Sequence, residues 1–225
     1  MKRNVYFVFT FLVFVASGIS QKIFQSSDST GYVKDIDGNI YKTVKIGNQV
    51  WMAENLKVTH YRNGDAIPYR TDDDEWDSST GGYSSYDNDE TNFGIYGGLY
   101  NWFAVNDSRK IAPEGWHVPT DAEWQELVEY LGGNMFAGGK MKSTGTIEGG
   151  DGLWRGSNEN DSNESGFSAL PGGYRYSHGV FDGIGSNAYF WSATESRGGN
   201  AWHRYLYYGK TNVYRDDSDW FVKKS

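Results

Sequence analysis

A chain without a single cysteine has to hold itself together by packing alone, and this one carries 9 Trp, 17 Tyr and 12 Phe in 225 residues with which to do it. Aromatic side chains remove large apolar areas from water, and Tyr and Trp add a polar tip that suits binding surfaces as well as cores. The missing thiols exclude thiol catalysis, iron–sulfur clusters and thiolate zinc sites. The 29 glycines, with 4 prolines and no strict period, point to many tight turns.

The N-terminus reads as an export signal. Lys2 and Arg3 precede an apolar run from Val5 to Ala16, and small residues follow at Ser17, Gly18 and Ser20. A positive start, a short apolar stretch and a small-residue cleavage site define a secretory signal peptide. Interrupted by Thr10 and ended at Ser17, the run is shorter than the ~20 apolar residues of a membrane span. Cleavage is expected after Ser20, which divides the chain into a signal peptide (1–20), a polar linker (21–32) and one domain (33–225). The mature chain is expected to be secreted or held at the cell surface, with no transmembrane segment. Loss of Lys2 and Arg3 takes the formal net charge from −8 to −10. So acidic a balance argues against nucleic acid and anionic membranes as partners, and leaves glycans and divalent cations open.

Local patterns place the first elements. Asp37-Gly38-Asn39 marks a turn, Ile40 to Ile46 reads as a strand, Gly47-Asn48 as a two-residue connection and Gln49 to Met52 as the returning strand. Residues 71–92 are acidic and turn-rich, with Trp76, Tyr83 and Tyr86 expected to order them. Leu99 to Val105 reads equally as a short helix or a buried strand. Thr120 followed by Glu123 is a capping box; Trp124, Leu127, Val128 and Leu131 then share one helical face until Gly132-Gly133 stop the helix. Trp102, Trp116, Trp124 and Trp191 are expected in the core. Strands are expected at 167–170, 173–176, 189–192, 201–208 and 212–215. The fold class is α+β: an antiparallel sheet, one or two helices and long glycine-rich loops.

Several segments carry a resemblance: residues 37–67 (DGNIYKTVKIGNQVWMAENLKVTHYRNGDAI), 96–107 (YGGLYNWFAVND), 111–127 (IAPEGWHVPTDAEWQEL), 163–175 (NESGFSALPGGYR) and 190–208 (FWSATES…AWHRYLYY). In this order they resemble the Fibrobacter succinogenes major paralogous domain, a family of exported bacterial domains. The resemblance implies a C-type-lectin-like fold, distantly related to formylglycine-generating domains, and no settled activity. Related domains tend to end in a strand of the type GFSVRCV and to carry a second cysteine near residues 83–86. Here Ser84 and Ser85 stand at the second place and the sequence closes on Asp219 to Ser225. A shortened last strand and incomplete sheet closure are expected.

Candidate sites follow from side-chain chemistry. Asp161, Asn163 and Glu164, in an acidic loop that also holds Asp151 and Glu159, are hard oxygen ligands of the kind calcium takes; calcium is the one cofactor left open. A second acidic cluster runs from Asp87 to Glu90. Neither fits the EF-hand spacing, and the plainer reading of both is a solvated acidic turn. His60, His117, His178 and His203 lack zinc-ligand spacing. No G-x-S-x-G elbow occurs, and the cysteines of formylglycine chemistry are absent. The glycine-rich stretch from Gly132 to Met141 fails the P-loop register. The leading candidate is the run Ala201 to Tyr208, whose alternation puts Trp202, Arg204, Leu206 and Tyr208 on one face and His203, Tyr205 and Tyr207 on the other. Burial of Leu206 would leave His203, Tyr205 and Tyr207 exposed to bind a ligand. The expected function is non-enzymatic recognition of a polysaccharide, with a cell-surface protein the next partner; a carboxylate-based hydrolase and a purely structural surface domain are the alternatives.

Overall fold

The computed structural model describes residues 7–8, 15–16, 30–76, 79–156, 160–197 and 200–217. The expected cleavage point after Ser20 and the chain end from Asp219 to Ser225 lie outside them. In chain order the elements are β1 (Phe7–Val8), β2 (Val15–Ala16), β3 (Thr30–Lys34), β4 (Ile40–Ile46), β5 (Gln49–Met52), α1 (Asp73–Trp76), β6 (Tyr83–Ser84), α2 (Glu90–Tyr96), β7 (Leu99–Tyr100) and α3 (Trp102–Val105). They continue with β8 (Trp116–His117), α4 (Asp121–Tyr130), α5 (Ala137–Met141), β9 (Gly172–Tyr176), β10 (Phe181–Ile184), β11 (Asn187–Glu195), β12 (Ala201–Tyr207) and β13 (Tyr214–Asp216).

The strands form four sheets: β3-β4-β5-β2-β8, β11-β12-β13, β1-β9-β10 and the pair β6-β7. Every pairing of these strands is antiparallel. The α+β class therefore holds, but a single sheet does not, and the helices beyond α4 are short pieces of one or two turns. The opening hairpin forms as its turn chemistry dictates: Gly47 supplies a positive φ of 61°, and Ile46 faces Gln49 across the connection. Leu99 to Val105 combines both readings, a short strand followed by a short helix. Residues 167–170 do not form a strand; Ala169 makes only an isolated bridge to Lys142. The last strand begins at Tyr214, two residues later than expected, and β3 already starts at Thr30, inside the stretch read as linker.

The core is built around buried indoles, three of which are tied to backbone. Trp51, Trp102, Trp124 and Trp191 are buried, as is Trp116 at 9% exposure. Trp124 lies 4.9 Å from Trp51 and 5.4 Å from Phe190, and Trp102 lies 5.4 Å from Trp191. A buried indole N–H is stabilised by an acceptor, and three of these indoles find one on the backbone. Trp124 Nε1 donates to the Trp191 carbonyl (3.1 Å), Trp191 Nε1 to Tyr100 (3.0 Å) and Trp154 Nε1 to Ala169 (3.1 Å). Each such bond fixes one element against another: α4 on β11, and β11 on β7.

The start of α4 is held twice over. Thr120 Oγ1 accepts from the Glu123 N–H while Glu123 Oε2 accepts from the Thr120 N–H (2.7 Å), the capping box that the sequence implies. Asp121 receives Arg204 (2.7 Å) from β12 and a two-pronged contact from Arg215 (2.9 Å each) at β13. Partial burial pushes the Asp121 carboxyl upward, but the two guanidiniums outweigh it and hold it below the usual range. Truncating Trp124 to alanine removes ring contacts and an interelement hydrogen bond together. Trp124→Ala is expected to cost about 3–5 kcal/mol in urea-unfolding stability, and Thr120→Ala about 1 kcal/mol.

Candidate functional site

One face of the C-terminal half carries a continuous rank of tyrosines. In β11-β12-β13, Tyr189 stands directly opposite Tyr205, and Tyr205 opposite Tyr214. Residues opposite each other across antiparallel strands share a face, so the three rings stack: Tyr189–Tyr205 at 5.1 Å and 26°, Tyr205–Tyr214 at 4.6 Å and 10°. From β9, Tyr174 meets Tyr189 edge-on at 5.0 Å, and Tyr176 meets Tyr174 at 5.0 Å. His178, exposed in the turn after β9, closes the rank 4.9 Å from Tyr176. All five tyrosines are half-buried, each keeping part of its ring in water.

The rank has acidic partners. The Tyr174 hydroxyl donates to Asp182 Oδ2 (3.1 Å) on the exposed side of β10, and the Tyr174 and Tyr176 hydroxyls lie 3.0 Å apart. Burial raises the hydroxyls of Tyr174, Tyr189 and Tyr205 above the ordinary tyrosine value, and neighbouring acids and phenols add to the effect. These groups therefore stay neutral across the whole biological pH range and act as hydrogen-bonding tips on apolar rings. Gly173 makes the close approach of β9 and β10 feasible: its φ is 70°, and a Cβ there would stand 2.5 Å from the Asp182 carbonyl oxygen.

Of the expected ligand residues, Tyr205 sits in the middle of this rank. Tyr207 lies further along β12 with its ring 4.6 Å from Tyr208. His203 corrects the expectation: it is fully buried, with Tyr189, Trp191 and Tyr205 each within 6.3 Å of its ring. Alternation failed as a guide there because β12 is covered on both faces at this point, so the face opposite Leu206 grades from buried His203 to half-exposed Tyr207. Tyr174, Tyr176, Tyr189 and Tyr214 carry no signal in the sequence that sets them apart; they come from three separate runs, strand register aligns Tyr189 and Tyr214 with Tyr205, and the packing of β9 beside β11 adds Tyr174 and Tyr176.

The expected calcium ligands do not converge. Asp161 lies 3.2 Å from the ammonium of Lys142, which is fully buried and also donates to the carbonyls of Tyr208 (3.2 Å) and Lys210 (2.6 Å). Glu164 pairs with Lys140 at 2.8 Å, and Asn163 is turned onto Ser168 at 2.9 Å. A cation at this loop would have to displace two lysines: Asp161 is corrected to the partner of a buried ammonium and Glu164 to that of a partly exposed one. Among the described residues no group of three or more His, Asp or Glu side chains is placed to hold a metal. Asp89, from the other acidic run, caps α2 by accepting from the Thr91 N–H.

Two histidine–carboxylate pairs occur among the described residues. His60 Nδ1 meets Asp37 at 2.6 Å, and Thr59 Oγ1 approaches that same nitrogen at 3.1 Å. A catalytic triad needs the carboxylate on one ring nitrogen and the hydroxyl on the other. His117 is held by Glu123 (2.8 Å), whose other oxygen serves the helix cap. A separate groove of about 550 Å³ lies between β3, β4, α2 and residues 166–170, with Tyr32, Lys42, Glu54, Lys57 and Ile95 along it.

Two variants test this reading of the buried charges. Asp161→Asn is expected to lower stability by about 3 kcal/mol, because it leaves the Lys142 ammonium buried with carbonyls alone, and added calcium should not shift the wild-type melting temperature. His203 is pushed down to about 3, chiefly by burial, against 6.5 in an unfolded chain. Between those values the unfolded chain binds a proton that the folded one refuses. The His203 contribution is therefore intact above pH ~6.5 and declines by about 1.4 kcal/mol per pH unit as pH falls through that window. Urea midpoints at pH 7, 5 and 4 should show the stability gap between wild type and His203→Phe shrinking toward acid.

No helix among the described residues is long and apolar enough to cross a membrane. No curated protein and no solved structure matches the chain. A model of the Fibrobacter succinogenes major domain matches residues 44–222, a span that starts within β4 of the opening hairpin and takes in the capped helix and the tyrosine rank. The chain belongs to the Fibrobacter succinogenes major domain family.

Proposed function

We propose that this is an exported, non-enzymatic recognition domain of C-type-lectin-like architecture that binds polysaccharide through the tyrosine rank. The observation that carries the reading is the alignment of Tyr174, Tyr189, Tyr205 and Tyr214 across β9, β11, β12 and β13 with their rings partly in water. Rings held by stacking on one another lose little freedom when a ligand arrives, so the entropy cost of binding is low. Sugar C–H faces pack against aromatic rings and edges, while neutral phenol hydroxyls and Asp182 offer partners to sugar hydroxyls. A repeating rank of this kind matches a repeating, extended and uncharged ligand better than a compact one. The acidic net charge disfavours polyanionic glycans for the same reason that it disfavours nucleic acid.

The test is retention of the exported form on soluble plant and bacterial polysaccharides in native affinity gels. Tyr189→Ala and Tyr205→Ala are each expected to weaken retention about 5- to 30-fold, the equivalent of 1–2 kcal/mol, and Tyr205→Phe by less. Loss of retention in Tyr205→Phe equal to that in Tyr205→Ala would shift the weight from ring packing to the hydroxyl. Absence of retention by the folded wild type would overturn the carbohydrate reading for the glycans tested and leave a protein ligand for the same face.

A further inference from the structure

The tyrosine rank has a fixed spacing, a direction and an end. Tyr189, Tyr205 and Tyr214 are register partners on successive strands, so they form a row across β11, β12 and β13 rather than along any one of them. Tyr174 extends that row onto β9, and Asp182, its register partner on β10, continues it by one more position. Ring centres in the row follow one another at 5.0, 5.1 and 4.6 Å, close to the spacing of neighbouring strands. Tyr176 stands beside the row, next to Tyr174 on the same strand.

Side chains on a strand stand roughly perpendicular to the sheet, so rings stacked on one another turn edges and hydroxyls to the water. A ligand lying on the row meets one phenol tip per strand. A chain of six-membered sugars joined equatorially through opposite ring carbons advances by one ring length per unit and keeps successive units in line. An axial linkage bends the chain away at each step. Of the two, only the equatorial chain sets one sugar over each ring for the length of the row.

The Asp182 end adds a sign. Its exposed carboxylate accepts from the Tyr174 hydroxyl (3.1 Å), the Tyr176 hydroxyl (3.4 Å) and the Gly183 N–H (2.6 Å). These three donors hold the group in place, and none of them neutralises its charge. A sugar hydroxyl arriving there finds an acceptor, whereas a sugar carboxylate meets a like charge.

We propose that the ligand of the rank is a single extended chain of neutral pyranoses in β-1,4 linkage, laid across the strands with one unit over each of Tyr174, Tyr189, Tyr205 and Tyr214 and a hydroxyl turned to Asp182. This rests on the carbohydrate reading of the rank and adds to it the linkage, the length and the orientation of the ligand. Coiled chains and chains of acidic sugars are rejected by the same row.

Calorimetric titration with β-1,4-linked gluco-, xylo- and manno-oligosaccharides of two to six units measures the row directly. In the tightest of these series, affinity is expected to rise about fivefold per unit up to four units and by less than about twofold beyond. α-1,4-linked glucans of equal length are expected to bind at least about tenfold more weakly. Tyr214→Ala, which removes the outermost ring, is expected to move the plateau from four units to three; an equal loss at every length would contradict one unit per ring. Asp182→Asn is expected to keep the neutral tetramer within about threefold and to bring a β-1,4-linked uronate tetramer about tenfold closer to it. Equal binding of α- and β-linked chains, or a plateau at two units, would overturn this inference and leave the rank as a carbohydrate site. Absence of binding by every chain would overturn both. The length series is measured on the wild type, so it decides even where a variant fails to fold.

Discussion

The indole N–H of Trp191, donated to the Tyr100 carbonyl, and that of Trp124, donated to Trp191, are the bonds on which the arrangement of this domain turns. With no cysteine to staple loops together, long irregular segments must be pinned by packing, and a buried indole does so in two ways. Its area drives burial, and its single donor selects one acceptor and hence one relative position of two elements. Trp124 brings the capped helix onto β11, Trp191 brings β11 onto β7, and the sheet β11-β12-β13 is thereby set in place. The tyrosine rank lies on that sheet and inherits its geometry.

Buried charge completes what the rings begin. Arg175 is fully buried, yet its guanidinium donates to the carbonyls of Gly179, Arg70 and Thr71 and to Asp73, and stacks over Trp76 at 4.6 Å. It ties the acidic stretch around α1 to the hairpin bearing Tyr174 and Tyr176. Lys142 plays the corresponding part at the loop that ends with Asp161, meeting carbonyls just before β13 and lying 5.1 Å from the Trp154 ring. Asp161, which looks like a calcium ligand in the sequence, thus acts as counter-ion for buried Lys142, as Asp73 does for buried Arg175. Their carboxylates are spent on folding.

What could be read from sequence was local. The capping box at Thr120 and Glu123, the hairpin through Gly47 and the core role of four tryptophans each depend on residues within one turn or on residue type alone. His203 could not be read correctly, because its burial depends on rings from β11 and on a second covered face of β12, which period-2 alternation does not encode. Asp161 was misread because its partner, Lys142, is 19 residues away and gives no sign in the sequence of being buried. β10 is not legible in the sequence, because Phe181 to Ile184 contains Gly183 and an exposed Asp182, which together read as turn. The tyrosine rank is legible only at Tyr205; its other members are scattered over 40 residues and meet through the pairing of β11, β12 and β13 and the packing of β9 against β11.

The central claim is that ligand recognition occurs on the ring faces and hydroxyls of this rank, and it is tested most directly by following the ring carbons of ¹³C-labelled tyrosine by NMR while an oligosaccharide retained in affinity gels is titrated in. The account predicts saturable shifts confined to Tyr174, Tyr176, Tyr189, Tyr205 and Tyr214, with Tyr41 and Tyr100 in the core unmoved. Shifts at Tyr32 beside the groove, with the rank silent, would contradict it.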